Sequence, residues 1–148
     1  MRNHTFYPKR ALFLSLVILM SLIFVGCEAS FSTAKLGEAT MCIKVDEKTK
    51  KPAEKTDIFT PDTPEIFCSV KLSRAPSDTS IKSEWIYVKG EAENLSDYKI
   101  DEFTMTTEGT KYVSFSLTRP DTGFPKGEYI LKLHLNDEIK LSVPFKVE

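Results

Sequence analysis

Residues 111–148 read KYVSFSLTRPDTGFPKGEYILKLHLNDEIKLSVPFKVE, and their apolar positions recur with a period of two. Val113, Phe115 and Leu117 alternate with Ser114, Ser116 and Thr118. Tyr129, Leu131, Leu133 and Leu135 alternate with Ile130, Lys132 and His134. Ile139, Leu141, Val143, Phe145 and Val147 alternate with Lys140, Ser142, Pro144 and Lys146. Successive side chains of a strand point to opposite faces, so each run lays one apolar face on a core. Arg119–Gly127 holds two Pro and two Gly and is a loop, and Asn136-Asp137 is a tight connection. Pro144 cannot donate to a ladder, which implies that the last strand keeps a free N–H side.

The same period extends upstream. Thr40–Asp46 sets Met41, Ile43 and Val45 against Cys42 and Lys44. A charged loop follows at Glu47–Thr56, and Asp57–Pro64, with two prolines, suits an edge segment or an extended turn. Glu65–Leu72 puts Ile66, Cys68, Val70 and Leu72 on one face; Ser73–Ser80 is a turn cluster. Lys82–Lys89 is apolar on both faces, through Trp85 and Tyr87 against Ile86 and Val88, as expected of a strand in the middle of its sheet or under a neighbour. Gly90–Asp97 breaks the pattern, Tyr98–Thr107 resumes it, and Glu108-Gly109 is a plausible hairpin turn. No stretch after residue 38 carries a helical stripe. Short strands separated by turns indicate an all-β fold, one antiparallel two-sheet sandwich of about seven strands over residues 39–148.

The first residues follow another rule. Met1–Arg10 carries Arg2, Lys9 and Arg10 and no acid, and Ala11–Val25 is apolar apart from Ser15 and Ser21. That run is short for a membrane span and suits the core of a secretory signal peptide. Phe24-Val25-Gly26-Cys27 resembles the lipobox of bacterial lipoproteins, with Phe24 departing from the usual Leu. The resemblance implies cleavage after residue 26 and a lipidated Cys27, whose acyl chains would hold the protein on a bilayer. Glu28–Glu38 is small and polar, so residues 27–38 read as a lipidated flexible tether. Glu28 stands where Asp is the familiar inner-membrane sorting residue, which favours the outer membrane over the inner one.

Without residues 1–26, 17 bases face 21 acids, a net of −4. Charges of both signs are mixed along the chain, so it lacks the basic face that nucleic-acid binding needs. Besides Cys27 there are Cys42 and Cys68, and an even pair in an exported domain reads as a disulfide.

With the strands lettered A, B, C, C′, E, F and G, residues 39–148 look like an immunoglobulin-like or fibronectin-III-like sandwich. Trp85 falls on strand C, where such domains bury a Trp, and Tyr129 opens strand F just after Pro125-Lys126-Gly127, as in a tyrosine corner. Cys68 occupies one half of the inter-sheet bridge position, but its expected partner position is Leu131. The resemblance therefore leaves Cys42 on the first strand as the partner of Cys68.

Residues that carry chemistry are few. His134 stands alone once His4 leaves with the leader, and reads as an ordinary surface residue. There is no nucleophile elbow, no phosphate loop and no dinucleotide fingerprint. Cys42, Cys68 and His134 are too few and too scattered for zinc, and the acids near Asp57 and Glu91 lack calcium-loop spacing. Phe124, between Gly123 and Pro125, reads as a plug for one end of the sandwich. The expectation is a lipid-anchored envelope protein without enzymatic activity or cofactor, serving as a binding or assembly module for an envelope protein partner. Alternatives are a structural subunit or spacer of an envelope complex, or a small accessory enzyme acting on carbohydrate or peptide.

Overall fold

The computed structural model describes residues 32–148; the expected leader and lipobox, with Cys27, lie outside the described residues. The described part is all-β: β1 (Lys35–Val45), β2 (Pro52–Lys55), β3 (Ile58–Phe59), β4 (Glu65–Gly90), β5 (Tyr98–Thr118), β6 (Gly127–Leu135) and β7 (Glu138–Val147). All pairings are antiparallel except β3 with β7.

One curled sheet runs β2-β1-β4-β6-β7-β3, with β5 also on β4. The two layers come from its two long strands. The first half of β4 lies between β1 and the second half of β5, with Val70 opposite Ala39 on one side and Val113 on the other. The second half lies between the first half of β5 and β6, with Trp85 opposite Asp101 and Leu131. In letters, A-B-E forms one layer and C′-C-F-G the other, which is the immunoglobulin-like arrangement.

Ser73–Ser80 and Glu108-Gly109 are corners, where a turn cluster and a hairpin turn were expected. The β4–β5 ladder continues through them with register shifts between Leu72 and Ala75 and between Ala75 and Thr79. Arg74, Asp78 and Gly109 take positive φ there, as bulges require. Small polar residues close the gaps in the ladder. The Arg74 amide donates to Thr110 Oγ1 at 3.0 Å, and Thr79 Oγ1 to the Pro76 carbonyl at 2.7 Å. Gly, Pro and Ser mark a bulged corner as readily as a turn, so local composition could not separate the two.

The first strand opens at Lys35, inside the stretch expected to be tether. Leu36 pairs with Leu72 and is partly buried against the core. A register shift between Leu36 and Ala39 interrupts the alternation and conceals the strand in the sequence.

The core fills from both layers. Phe145 is its hub, edge-on to Trp85 at 5.8 Å and to Phe59 at 5.7 Å, and stacked on Tyr129 at 5.1 Å. Such geometries suit the ring quadrupoles and add to the burial of apolar area. Phe124 is buried in this cluster, a plug as expected. Pro144 lies opposite Ile130, and β3 covers β7 only at Lys146 and Val147, so the N–H side of Pro144 is free.

Where β4 leaves the sheet, Gly90 faces Gly127 on β6. A Cβ on Gly90 would sit 2.2 Å from the Lys126 carbonyl oxygen, a clash with backbone that only movement relieves. A Cβ on Gly109 would meet nothing within 4 Å, although its φ of 81° strains any other residue. Gly90→Ala is therefore expected to cost about 2–3 kcal/mol in urea unfolding, as overpacking does. Gly109→Ala is expected to cost about 1 kcal/mol, for conformation alone. Equal losses would show that the Gly90–Gly127 approach is not a packing constraint.

Candidate functional site

The expected disulfide is absent: Cys42 and Cys68 are both free, buried thiols. Register explains this. Cys68 lies opposite Met41, and Cys42 lies opposite Phe67. Opposed residues share a face and neighbours along a strand do not, so the two thiols project from opposite faces of the layer. Cys68 joins the core cluster with Met41. Cys42 points the other way, beneath the β1–β2 connection, which Ser69 Oγ holds by donating to the Lys50 carbonyl at 2.6 Å. Burial raises both thiols, Cys68 to about 12, with the neighbouring Cys42 adding to the effect.

Trp85 and Tyr129 lie in the core, where the resemblance places them, with Trp85 only 1% exposed. Tyr129 Oη donates to the Pro125 carbonyl at 2.5 Å, the bond that defines a tyrosine corner. Beside it Tyr87 Oη accepts from the Ala92 amide at 3.0 Å and donates to the Lys126 carbonyl at 3.3 Å. The two tyrosines tie the β4–β5 and β5–β6 connections to the end of the sandwich. Tyr87 was missed as a tie because its place in a strand pattern says nothing of what its hydroxyl reaches.

His134 is not an ordinary surface residue. It is 7% exposed on the outer face of the C′-C-F-G layer, opposite Lys82. Its Nε2 lies 2.8 Å from Glu84 Oε2, and Lys82 Nζ lies 3.0 Å from Glu84 Oε1. An ionised Glu84 only accepts, which places the imidazole proton on Nε2 and leaves Nδ1 buried without a partner. The Lys82 hydrogen bond holds the Glu84 carboxyl below its usual range against the opposing effect of burial, and His134 lowers it further. Flanking strands and long Lys82 and Glu84 side chains bury the imidazole, a cross-strand effect that alternation within one strand does not reveal. Among the described residues, Glu84 is the side chain bonded to it, and no nucleophile is. Among the described residues, no three His, Cys, Asp or Glu side chains gather in a way that could hold a metal ion.

Among the accessible features of the described residues are the sheet edges and an apolar depression. Ile58, Val88, Ile130 and Pro144 line an open apolar hollow of about 550 Å³, rimmed by Asp57 and Lys146. Along the first half of β5, Tyr98 is 52% exposed, Phe103 58%, and Ile100 and the adjoining Leu95 each 36%. Among the described residues, β5 pairs with β4 alone, so its other side presents unpaired backbone groups. The weak alternation of Tyr98–Thr107 reflects a strand whose large side chains are exposed on a bulged edge.

No family model matches the chain, and neither does any curated protein. Among solved structures, it is similar to an immunoglobulin-like protein from Pseudomonas aeruginosa, at 16% identity and a TM-score of 0.49, covering 83% of this chain and 100% of that one. It is also similar to an alkylpurine DNA glycosylase from Pseudomonas fluorescens, at 14% identity and a TM-score of 0.47, covering 79% of this chain and 31% of that one. A β-glucosidase from Kluyveromyces marxianus matches at 17% identity and a TM-score of 0.45, over 80% of this chain and 14% of that one.

Two measurements check the buried groups. Cys42 and Cys68 should resist iodoacetamide at pH 8 in the native protein, and both should react in guanidinium without any reductant. A requirement for reductant would reinstate a disulfide. For Glu84, a lowered folded pKa stabilises the fold above the ordinary value of 4.5, and that stabilisation is lost as pH falls through the folded value. Glu84→Gln should thus cost about 1–2 kcal/mol at neutral pH, with the gap to the parent protein closing as urea titrations move into acid. A gap independent of pH would mean that the carboxylate charge plays no part.

Proposed function

We propose that this protein is a lipid-anchored component of the bacterial envelope, whose immunoglobulin-like domain is a non-catalytic module for binding or assembly. The observation that carries this reading is the free β5 edge. An exposed strand with unpaired backbone and protruding aromatic side chains is a ready template for protein contact. The anchor rests on Phe24-Val25-Gly26-Cys27 after a basic and then apolar leader. Two or three acyl chains on Cys27 would attach the domain stably without a basic surface. The outer membrane is favoured over the inner, from Glu28 at the sorting position.

The test is metabolic labelling with palmitate and fractionation of cells carrying the parent chain or Cys27→Ala. The expected result is that the variant loses the label and leaves the membrane fraction. A Cys27→Ala chain still labelled and membrane-bound would overturn the anchor. Turnover of envelope polysaccharides or peptides above blank would replace the module by an accessory hydrolase.

A further inference from the structure

The edges of the sheet are treated unequally. At one margin β2 spans only Pro52–Lys55, with a Pro and two charged residues; at the other β3 spans only Ile58–Phe59, and the stretch of β7 it leaves uncovered carries Lys140 and Pro144. Short length, charge and proline are the usual means of keeping an edge from pairing. The first half of β5 also carries charge and a bulge, but it is longer and exposes Tyr98, Ile100 and Phe103 among Lys99, Asp101 and Glu102.

The order of these residues is self-complementary. Tyr98 lies opposite Tyr87, and Phe103 lies opposite Ser83, so both share the inward face of the layer. Lys99 lies opposite Ile86, and Glu102 lies opposite Glu84, so both share the outward face. There Lys99 Nζ pairs with Glu102 Oε2 of its own strand at 2.6 Å, a contact that pairing with a copy exchanges for the same one between copies. Between them the register shifts, and Ile100 with Asp101 occupies one bulged position. Counted this way, the segment reads aromatic, base, bulge, acid, aromatic, and its reverse keeps the aromatics and the bulge in place while exchanging base and acid.

We propose that the Tyr98–Phe103 edge of β5 pairs antiparallel with the same edge of a second copy, across a two-fold axis at the bulge. Each Tyr98 then faces Phe103 of the copy on one side of the joined sheet, and each Lys99 faces Glu102 of the copy on the other. Both contacts occur twice, as an isologous interface requires. Aromatic pairs and opposite charges set directly across neighbouring strands are favourable, and like charges there are unfavourable. The joined C′-C-F-G layers form one continuous sheet through the dimer. This inference rests on the reading of the domain as an assembly module and names its partner.

The test uses the full chain in detergent, with two different affinity tags. Parent copies should co-purify and sediment as dimers. Lys99→Glu alone sets two acids across each contact, and Glu102→Lys alone sets two bases. Each variant should lose self-association by about tenfold or more. Mixed together, the two variants restore opposite charges at both contacts and should co-purify only with each other. Unchanged emission from Trp85, the sole tryptophan, reports that they are folded. A parent chain that sediments as a monomer would overturn the pairing, as would single variants that associate like the parent or a mixture that stays apart. Those outcomes leave the Cys27 anchor and the module untouched, whereas loss of the palmitate label bears on the anchor alone.

Discussion

The structure depends on one ladder that runs on through a bulged corner. β4 and β5 pair from Glu65–Thr118 to Tyr87–Tyr98, bending together at the corner near Ala75 and Gly109. In a sandwich of two separate sheets, side-chain packing alone fixes how the layers face each other. Here two strands belong to both layers, so backbone hydrogen bonds fix that relation before any core residue is placed. The corner asks for left-handed backbone at Arg74 and Asp78, which side chains with a Cβ resist. Hydroxyls of Thr79 and Thr110 recover hydrogen bonds that the bulges remove from the ladder. Within the C′-C-F-G layer, Phe145 on β7 meets Trp85 from β4 and Tyr129 from β6 in one aromatic cluster.

The sequence was most legible where strands are short and buried on one side. Val113, Phe115 and Leu117, then Tyr129, Leu131 and Leu133, all lie in the core as their alternation required. Alternation also over-read Ile43 and Ile139. Ile43 shares the phase of Met41 yet is 44% exposed, beside the register shift between Cys42 and Lys44. Ile139 shares the phase of Phe145 yet is 54% exposed, because the register shifts between Leu133 and His134. Bulges are the common reason for the misses. They hide the strand at Leu36, and they turn an expected loop at Ser73–Ser80 into a corner. A bulge inserts one residue and reverses the phase, so a period-two reading fails at the residues that shape the sheet.

The cysteines and His134 failed for a different reason. Cysteine number and compartment suggest a bond, but a bond needs both sulfurs on one side of the layer, and a register offset of one residue puts them on opposite sides. His134 is buried by residues from the neighbouring strand, since Lys82 lies opposite it and Glu84 is one pleat away. Both facts are properties of strand pairing. Neither cysteine spacing nor the alternation within β6 contains them. Trp85 and Tyr129 were legible because each belongs to a local pattern tied to a fold, an apolar strand in one case and a turn before a strand in the other.

An edge that pairs weakly in solution gains from being held on a surface. Association loses much of its free energy to lost translation and rotation. A covalent lipid, as proposed at Cys27, removes part of that loss in advance by confining all copies to one plane with their domains at similar height. The effective concentration of one β5 edge around another rises accordingly, so contacts as modest as two aromatic pairs and two ion pairs can suffice. This accounts for features that otherwise pull apart. Ile100 and Asp101 blunt the edge with a bulge, a device that keeps a lone copy from pairing with stray strands. The same bulge, placed at the centre of a self-complementary segment, selects one register for pairing once the copies are gathered. A flat edge without it would pair in several registers and with many strands, whereas this one favours its own copy.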